Sequence, residues 1–259
     1  MNVEARAALL QHAGLLRFEQ KTQILLAQLR ASQPRTPFSA YDVCLIPALV
    51  EAMGYGRDRA FFRAIGQRLV GLSNNLPEPS GRAAEPSPLD TIRLQASGRL
   101  TAQWQTTGAW ETIWKAITGS VDGEQWSNDD PSVGVRGRPR TPTDGLTDKQ
   151  VANTISDLRA IFLDLSPARA DIIICNVVLP FVAAVARIEQ DQPLLEYAQE
   201  LYVTYPGLTS NQVTRSMYRQ LGLEREPKTA CQQQGLHHIY TQTCREKHCA
   251  TCIVVGRKA

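Results

Sequence analysis

The sequence lacks the long hydrophobic run that a membrane-spanning helix requires. Its longest apolar stretch, "IIICNVVLPFVAAVA" at 172–186, is shorter than the roughly 20 residues needed to cross a bilayer, and it contains Asn176 and Pro180. We interpret this stretch as buried core, in which the Asn176 amide must be satisfied by hydrogen bonds. The first residues also lack a basic region followed by an apolar run, so no secretory signal is expected. These absences favour a cytoplasmic protein without a membrane partner.

The sequence also lacks recognisable catalytic motifs and strand patterns. It contains no glycine-rich phosphate loop, no nucleophile elbow and no pair of carboxylates at a catalytic spacing. The alternation of apolar and polar residues that is typical of strands is nearly absent, whereas apolar residues recur every three or four positions. We therefore predict an all-α fold, an irregular multi-helix bundle, and no catalytic activity of this chain alone.

Lysine is scarce, and the basic residues are mostly arginine, 22 Arg against 6 Lys. The formal net charge of +3 is too small to identify a nucleic-acid-binding protein. One segment nevertheless resembles the core of an AT-hook, in which an extended backbone lies in the narrow, strongly negative minor groove of A·T tracts. It is a candidate DNA contact, with a solvated basic loop as the alternative. The segment is "RGRPR": Arg136, Gly137, Arg138, Pro139 and Arg140.

The helical pattern divides the chain into a large domain and a shorter C-terminal part. We predict a helical domain over residues 1–228, with mobile loops near 74–88 and 120–148, where Gly, Pro and polar residues replace the apolar period. Residues 229–259 are predicted to form a helix and a cysteine cluster packed on the same core.

Local signals place individual helices and core residues. Three threonines, each followed by glutamine three positions later, predict helix starts: Thr147, Thr209 and Thr229. One segment carries aromatic and aliphatic side chains at helical spacing, which predicts core packing, with an aromatic binding surface as the alternative. These residues are Trp110, Ile113, Trp114 and Ile117.

Three cysteines close together near the C-terminus predict a metal site. Cys249 and Cys252 have the C-x2-C spacing through which two thiolates can reach one ion, and Cys244 lies within reach if the chain folds back. In a reducing cytosol such a cluster is more often a metal site than a disulfide, and free structural thiols are a further alternative. Zinc is the favoured metal, and an iron–sulfur cluster is the alternative.

A tetrahedral site needs a fourth ligand. If a helix runs from Thr229 to about Thr241, Cys231 and Cys244 are about 20 Å apart, too far to share an ion. His238 is then the preferred fourth ligand, and His237, Cys175 or solvent are the alternatives.

The chain contains four segments in a characteristic order: "GYGRDRAFFRAIGQRL", "NVVLPF", "QQQGLHHIY" and the closing C-x4-C-x2-C pattern. In this order they resemble an uncharacterised bacterial family known as domain of unknown function 2851, and the resemblance covers most of the chain. It implies that Cys244, Cys249 and Cys252 form the family's terminal cysteine pattern, and that Cys231 is particular to this chain. It also implies that fuller members carry a nuclease-like N-terminal region, which is not recognisable here.

Together, these features predict a non-catalytic helical module with a structural metal site that binds DNA or supports a nuclease-like protein partner. A first alternative is a protein-interaction or scaffold domain with structural zinc and no affinity for nucleic acid. A second alternative is an iron–sulfur enzyme.

Overall fold

The structure, a computed structural model, describes residues 3–54, 59–74, 88–119 and 146–248. Of these residues 77% are helical and none is in a strand, which confirms the predicted all-α, multi-helix fold. The predicted loops near 74–88 and 120–148 lie almost entirely outside the described residues. The same holds for the whole of Arg136 to Arg140, and for Cys249 and Cys252.

Eleven α-helices and two π-helical segments make up this part of the chain. In chain order they are α1 (Val3–Ala31), α2 (Ala40–Met53), α3 (Arg59–Leu69), α4 (Pro88–Thr107), α5 (Ala109–Thr118), α6 (Asp148–Ile161), α7 (Pro167–Ile173), π1 (Ile174–Val178), α8 (Leu179–Glu189), α9 (Gln192–Thr204), α10 (Gln212–Gln220), α11 (Ala230–Ile239) and π2 (Tyr240–Cys244).

Side-chain caps mark the residues at which α6, α10 and α11 begin. Thr147 forms the predicted capping box with Gln150, and the Thr229 hydroxyl accepts from the backbone N–H of Gln232. The prediction for Thr209 is wrong, because α10 is capped by Asn211, whose side chain accepts from the N–H of Thr214. Asparagine is the stronger cap, so the helix begins at the residue that follows it.

The centre of the core is the continuous helical run α7–π1–α8. Pro167–Glu189 is long and apolar enough to cross a membrane by length and composition, and 72% of its most apolar window is buried inside the protein. The helix is longer than the apolar stretch suggested, because α7 extends it back to Pro167. Length and composition are weak evidence for a membrane span, since a buried core helix has both. The burial agrees with the prediction of a core segment.

A π turn interrupts this run at Asn176. The N–H of Leu179 bonds to the carbonyl of Ile174, five residues back. Pro180, which follows, has no N–H to return to the carbonyl of Asn176. The wider turn therefore accommodates the proline inside the helix. π turns occur frequently at functional sites, which draws attention to the side chain of Asn176.

Glycines allow α1 and α11 to touch backbone to backbone. A Cβ on Gly14 would lie 2.1 Å from the carbonyl oxygen of Cys231, and a Cβ on Gly235 would lie 2.1 Å from that of Leu10. Helix α11 continues through Gly235, and the missing side chain there permits the close packing. This crossing holds the C-terminal helix against the first one.

The predicted aromatic segment lies in the core. Trp110 and Trp114 are 3% and 8% exposed, and Trp110 packs against the ring of Phe181 with centroids 5.6 Å apart. Ile113 and Ile117 are fully buried. These four side chains therefore provide packing rather than a binding surface.

Candidate anion-binding cavity

A cavity of about 570 Å³ opens where α1, α2, α3, α7, π1, α10 and α11 meet the connection at 205–211. Among the described residues that line it, five are basic and one, Glu51, is acidic. Asparagine and glutamine amides supply much of the remaining polar wall. We call it the basic cavity, after its basic side chains: Arg17, Lys21, Arg59, Arg63 and Arg169.

Two of these basic residues, Arg17 and Lys21, lie one turn apart on α1 and share an acceptor. The Nε of Arg17 donates to Oε1 of Gln234 at 2.7 Å, and the Nζ of Lys21 approaches the same oxygen at 3.5 Å. Lys21 also donates to Oδ1 of Asn176. Neither cation forms an ion pair with a carboxylate in the part of the chain that the structure describes.

This arrangement is electrostatically unfavourable for the empty cavity. Burial lowers the pKa of Lys21 well below its usual value, and the positive charge of Arg17 lowers it further. Burial also lowers the pKa of Arg17, whose guanidinium nevertheless stays charged in proteins. Like charges four residues apart on a helix repel, and an anion placed between them removes that cost.

Asn176 is held so that its amide oxygen serves the basic cavity. Its Nδ2 donates to the carbonyl of Ile172 at 2.8 Å, which leaves Oδ1 for Lys21. The predicted need for hydrogen bonding within the apolar run is thereby confirmed. The partner lysine lies 155 positions away in the sequence.

Two adjacent glutamines on α11 have different tasks. Gln233 is 6% exposed and bonds at both ends to the backbone of Leu208, accepting from its N–H at 2.6 Å and donating to its carbonyl at 3.1 Å. It thereby fixes one wall of the basic cavity. Gln234 is 5% exposed, and its Oε1 serves Arg17 and Lys21. Its Nε2 has no hydrogen-bond partner among the described residues, so this donor is open to a ligand.

Arginines of α3 lie at the solvent-exposed side of the basic cavity. Arg59 and Arg63 contact the carboxylate of Glu51 at 2.7 Å and 3.4 Å, and both guanidinium side chains are largely exposed. Deeper in the protein, Nη1 of Arg169 donates to the carbonyl of Ala52 at 3.2 Å, and burial lowers the pKa of this arginine. Arginine forks suit phosphate and carboxylate groups, which they bind bidentately.

His237 lines the basic cavity as a neutral side chain. Its Nε2 lies 3.0 Å from Nδ2 of Asn211 and 3.4 Å from Oγ1 of Thr214. Burial lowers the pKa of His237 to about 4, and the charges of Arg17 and Lys21 act in the same direction. Near neutral pH the ring is therefore an uncharged hydrogen-bonding group.

Of the predicted metal ligands, the structure describes His238 and Cys244. His238 is half-buried on α11, and its Nδ1 is buried without a hydrogen-bond partner in the described ranges. Cys244 ends π2, six helical positions later, a rise of about 9 Å along the helix axis. Because Cys249 and Cys252 lie outside the described residues, the predicted metal site stays a prediction. Within residues 3–54, 59–74, 88–119 and 146–248, no three His, Cys, Asp or Glu side chains are grouped to hold a metal.

The other cysteines considered for the site lie in the core. Cys231 is fully buried, and its Sγ contacts the carbonyl of Gln11 at 3.4 Å. Burial raises the pKa of Cys231 to about 12, and it raises that of Cys175 well above the usual value. Without a bound metal, both side chains are therefore thiols. The placement of Cys231 agrees with the argument that removed it from the predicted ligand set.

The main residues of the basic cavity were not predicted as a site. The signals were present, since Arg17 and Lys21 interrupt the apolar period of α1 and three consecutive glutamines open α11. What the sequence does not show is that these segments meet, because Arg17 and Gln234 are 217 positions apart.

Comparisons with known proteins leave the family open: no family model, no curated protein and no solved structure matches this chain.

Proposed function

We propose that this protein is a helical binding module that takes an anionic group, a phosphate or a carboxylate, into the basic cavity. The observation that carries the proposal is the pair Arg17 and Lys21, held together on one amide oxygen without a described carboxylate. A bound anion would pair with the Arg17 guanidinium and accept hydrogen bonds from Nζ of Lys21 and Nε2 of Gln234.

The size of the basic cavity suits a small ligand. Its volume of about 570 Å³ falls within the roughly 300–1,000 Å³ of ligand pockets. Apolar side chains of Ile24, Leu25 and Val177 also line it, so the organic part of a ligand has surface to contact. An organic phosphate or carboxylate fits this combination better than a bare inorganic ion.

Isothermal titration calorimetry of the full chain tests the proposal. The ligands are inorganic phosphate and a nucleoside monophosphate at low ionic strength, with the uncharged nucleoside as the ligand control. We expect saturable binding of the anions that weakens as salt is added. Arg17→Met and Lys21→Met each weaken it at least about tenfold, since a charge-assisted hydrogen bond contributes about 1.5–3 kcal/mol.

Lys115→Met is the matched protein control, because Lys115 is 73% exposed on α5 and does not line the basic cavity. Absence of saturable binding for both anions would overturn the proposal. Equal affinity in wild type and in both cavity variants would also overturn it.

A zinc site formed with the tail cysteines is a second proposal. It is favoured by Cys244, which is half-buried at the end of π2, whereas Cys44, Cys175 and Cys231 are buried. Elemental analysis of native protein is expected to find one zinc, and Cys249→Ser is expected to release it and lower the melting temperature. Iron with visible absorbance would favour the iron–sulfur alternative, and protein without metal would refute the site.

Nucleic-acid binding and support of a nuclease-like partner also stay proposals, as does the resemblance to the family of unknown function. The same arginines that suit a small phosphate suit a phosphodiester backbone. A salt-dependent gel shift with A·T-rich and mixed DNA tests this reading. Absence of binding at low salt would leave a protein-interaction role in its place.

A further inference from the structure

Lys21 occupies a special position among the six lysines of the chain. Among the described residues, it is the lysine that lines the basic cavity, whereas Lys115 lies on the exposed surface of α5. Its side chain crosses from α1 to the amides of two other elements, Asn176 in π1 and Gln234 in α11. The nitrogen is therefore fixed in space rather than free to sample solvent.

The contacts of Lys21 suit an uncharged amine. A neutral amine has two N–H donors and one lone pair, and Lys21 has two neighbouring acceptors, both neutral amide oxygens. An ammonium ion would carry a third N–H, and no described carboxylate is within ion-pair distance to balance its charge. Burial and the adjacent Arg17 both disfavour the charged form. A desolvated lysine next to another cation is the usual state of amine nucleophiles.

The surrounding cations supply the other half of a reactive arrangement. Arg17 is one turn from Lys21, and Arg169 lies on a further wall of the same cavity. An anionic substituent bound by these guanidinium groups would hold the rest of a small molecule beside the Lys21 nitrogen. The chemistry open to a fixed amine beside an anion site is attack on a carbonyl carbon.

We propose that Lys21 forms a reversible imine with the carbonyl group of a small anionic carbonyl compound bound in the basic cavity. This inference rests on the proposed anion-binding function. The nitrogen lone pair forms the new bond to the carbonyl carbon while the carbonyl π electrons move to oxygen. Proton transfer from nitrogen to oxygen gives the carbinolamine, and loss of water gives the imine. Nothing is oxidised or reduced.

Reductive trapping of the full chain tests the imine. Glyoxylate, which is an aldehyde with a carboxylate, is incubated with the protein at pH 7 and reduced with sodium cyanoborohydride, and modified lysines are located by peptide mass spectrometry. Lys21 is expected to react at least about tenfold faster than Lys115 in the same sample, because a pKa lowered by one unit raises the free-amine fraction tenfold. Acetaldehyde, which has no charge, is expected to show a smaller preference for Lys21, because only the larger free-amine fraction then favours this residue.

Two further measurements separate the imine from anion binding alone. Inorganic phosphate is expected to slow trapping at Lys21 and not at Lys115, and Arg17→Met is expected to do the same. If calorimetry shows phosphate binding while glyoxylate labels Lys21 no faster than Lys115, the imine is refuted and the anion site stands. If neither phosphate binding nor selective labelling occurs, both proposals fall.

Discussion

Helices α1 and α11 meet in two contrasting ways within a few turns. At Gly14 and Gly235 their backbones touch, and no atom larger than hydrogen fits between them. One turn further along α1, Arg17 donates to the side chain of Gln234 on α11, and here both helices line the basic cavity. The first region is packed as tightly as backbone allows, whereas the second contains the charged Arg17, without a described carboxylate partner, beside the desolvated Lys21.

The contrast indicates a division of labour along one helix pair. The glycine contact fixes the position of α11, and with it the amides of Gln233 and Gln234. The basic cavity can then hold the desolvated Arg17 and Lys21 in place, at a cost in stability that the close contact offsets. Binding sites commonly reduce stability in this way while the surrounding fold keeps them in position.

The largest expected effect is loss of the glycine contact. Gly235→Ala puts a Cβ 2.1 Å from the carbonyl oxygen of Leu10, and backbone cannot move aside as a side chain can. We expect the free energy of unfolding in urea to fall by about 3 kcal/mol, and anion binding to be lost with it. Gly14→Ala, which meets the carbonyl of Cys231, should behave alike.

Gly98→Ala is the matched control for this prediction. Gly98 lies within α4, where an added Cβ meets nothing within 4 Å. Because alanine is the better helix former, this variant should gain up to about 1 kcal/mol. Equal stability of Gly235→Ala and Gly98→Ala would contradict the close contact.

A smaller loss of stability is expected when the pH is lowered, and it should arise from His237, which lines the basic cavity. The folded pKa of His237 is lowered to about 4, below the ordinary value of 6.5. Between these values the unfolded chain binds more protons than the folded one, so stability falls as pH decreases from 6.5 towards 4. We expect His237 to reduce the free energy of unfolding by about 2 kcal/mol over this range. This is less than the pKa difference alone implies, because the ring is not fully buried.

The pH effect is measured as a difference between variants, because carboxylates titrate in the same range. His237→Gln should lose less stability than wild type between pH 6.5 and pH 4, whereas His12→Gln, changed at an exposed position of α1, should match wild type. Parallel curves for wild type and His237→Gln would show that His237 is not buried as described.

The smallest effect on stability is expected from Glu51→Gln. Glu51 pairs with Arg59 and Arg63, which are largely exposed, so the free energy of unfolding should change by less than about 1 kcal/mol. Affinity for phosphate should rise about threefold, because the one acidic lining residue of the described part is neutralised and two arginines are released. Asp164→Asn, which breaks the exposed pair with Arg99, should leave affinity unchanged. Weaker phosphate binding by Glu51→Gln would place the anion elsewhere.

The two regions also differ in how far the sequence predicts them. Helical periodicity identified the core role of Trp110 and Trp114, and helix geometry separated Cys231 from the tail cysteines, because both arguments use local spacing. The basic cavity depends on the meeting of Lys21, Asn176 and Gln234, which come from distant parts of the chain. Taken alone, Lys21 resembles a surface residue and Gln234 a residue near a helix start, whereas Asn176 is recognisable only as a buried amide that needs hydrogen bonds. Their shared role emerges only when tertiary packing brings the helices together.

The most direct measurement of the central claim is an NMR pH titration of the full chain labelled with ¹³C at the lysine ε carbon. The chain has six lysines, so individual signals can be followed, and Lys21→Met identifies the one of interest. The account predicts that the Lys21 signal titrates well below the others without ligand, and that its pKa rises when inorganic phosphate is added, because a bound anion stabilises the ammonium form. A Lys21 signal that titrates with the exposed lysines and ignores phosphate would contradict the account.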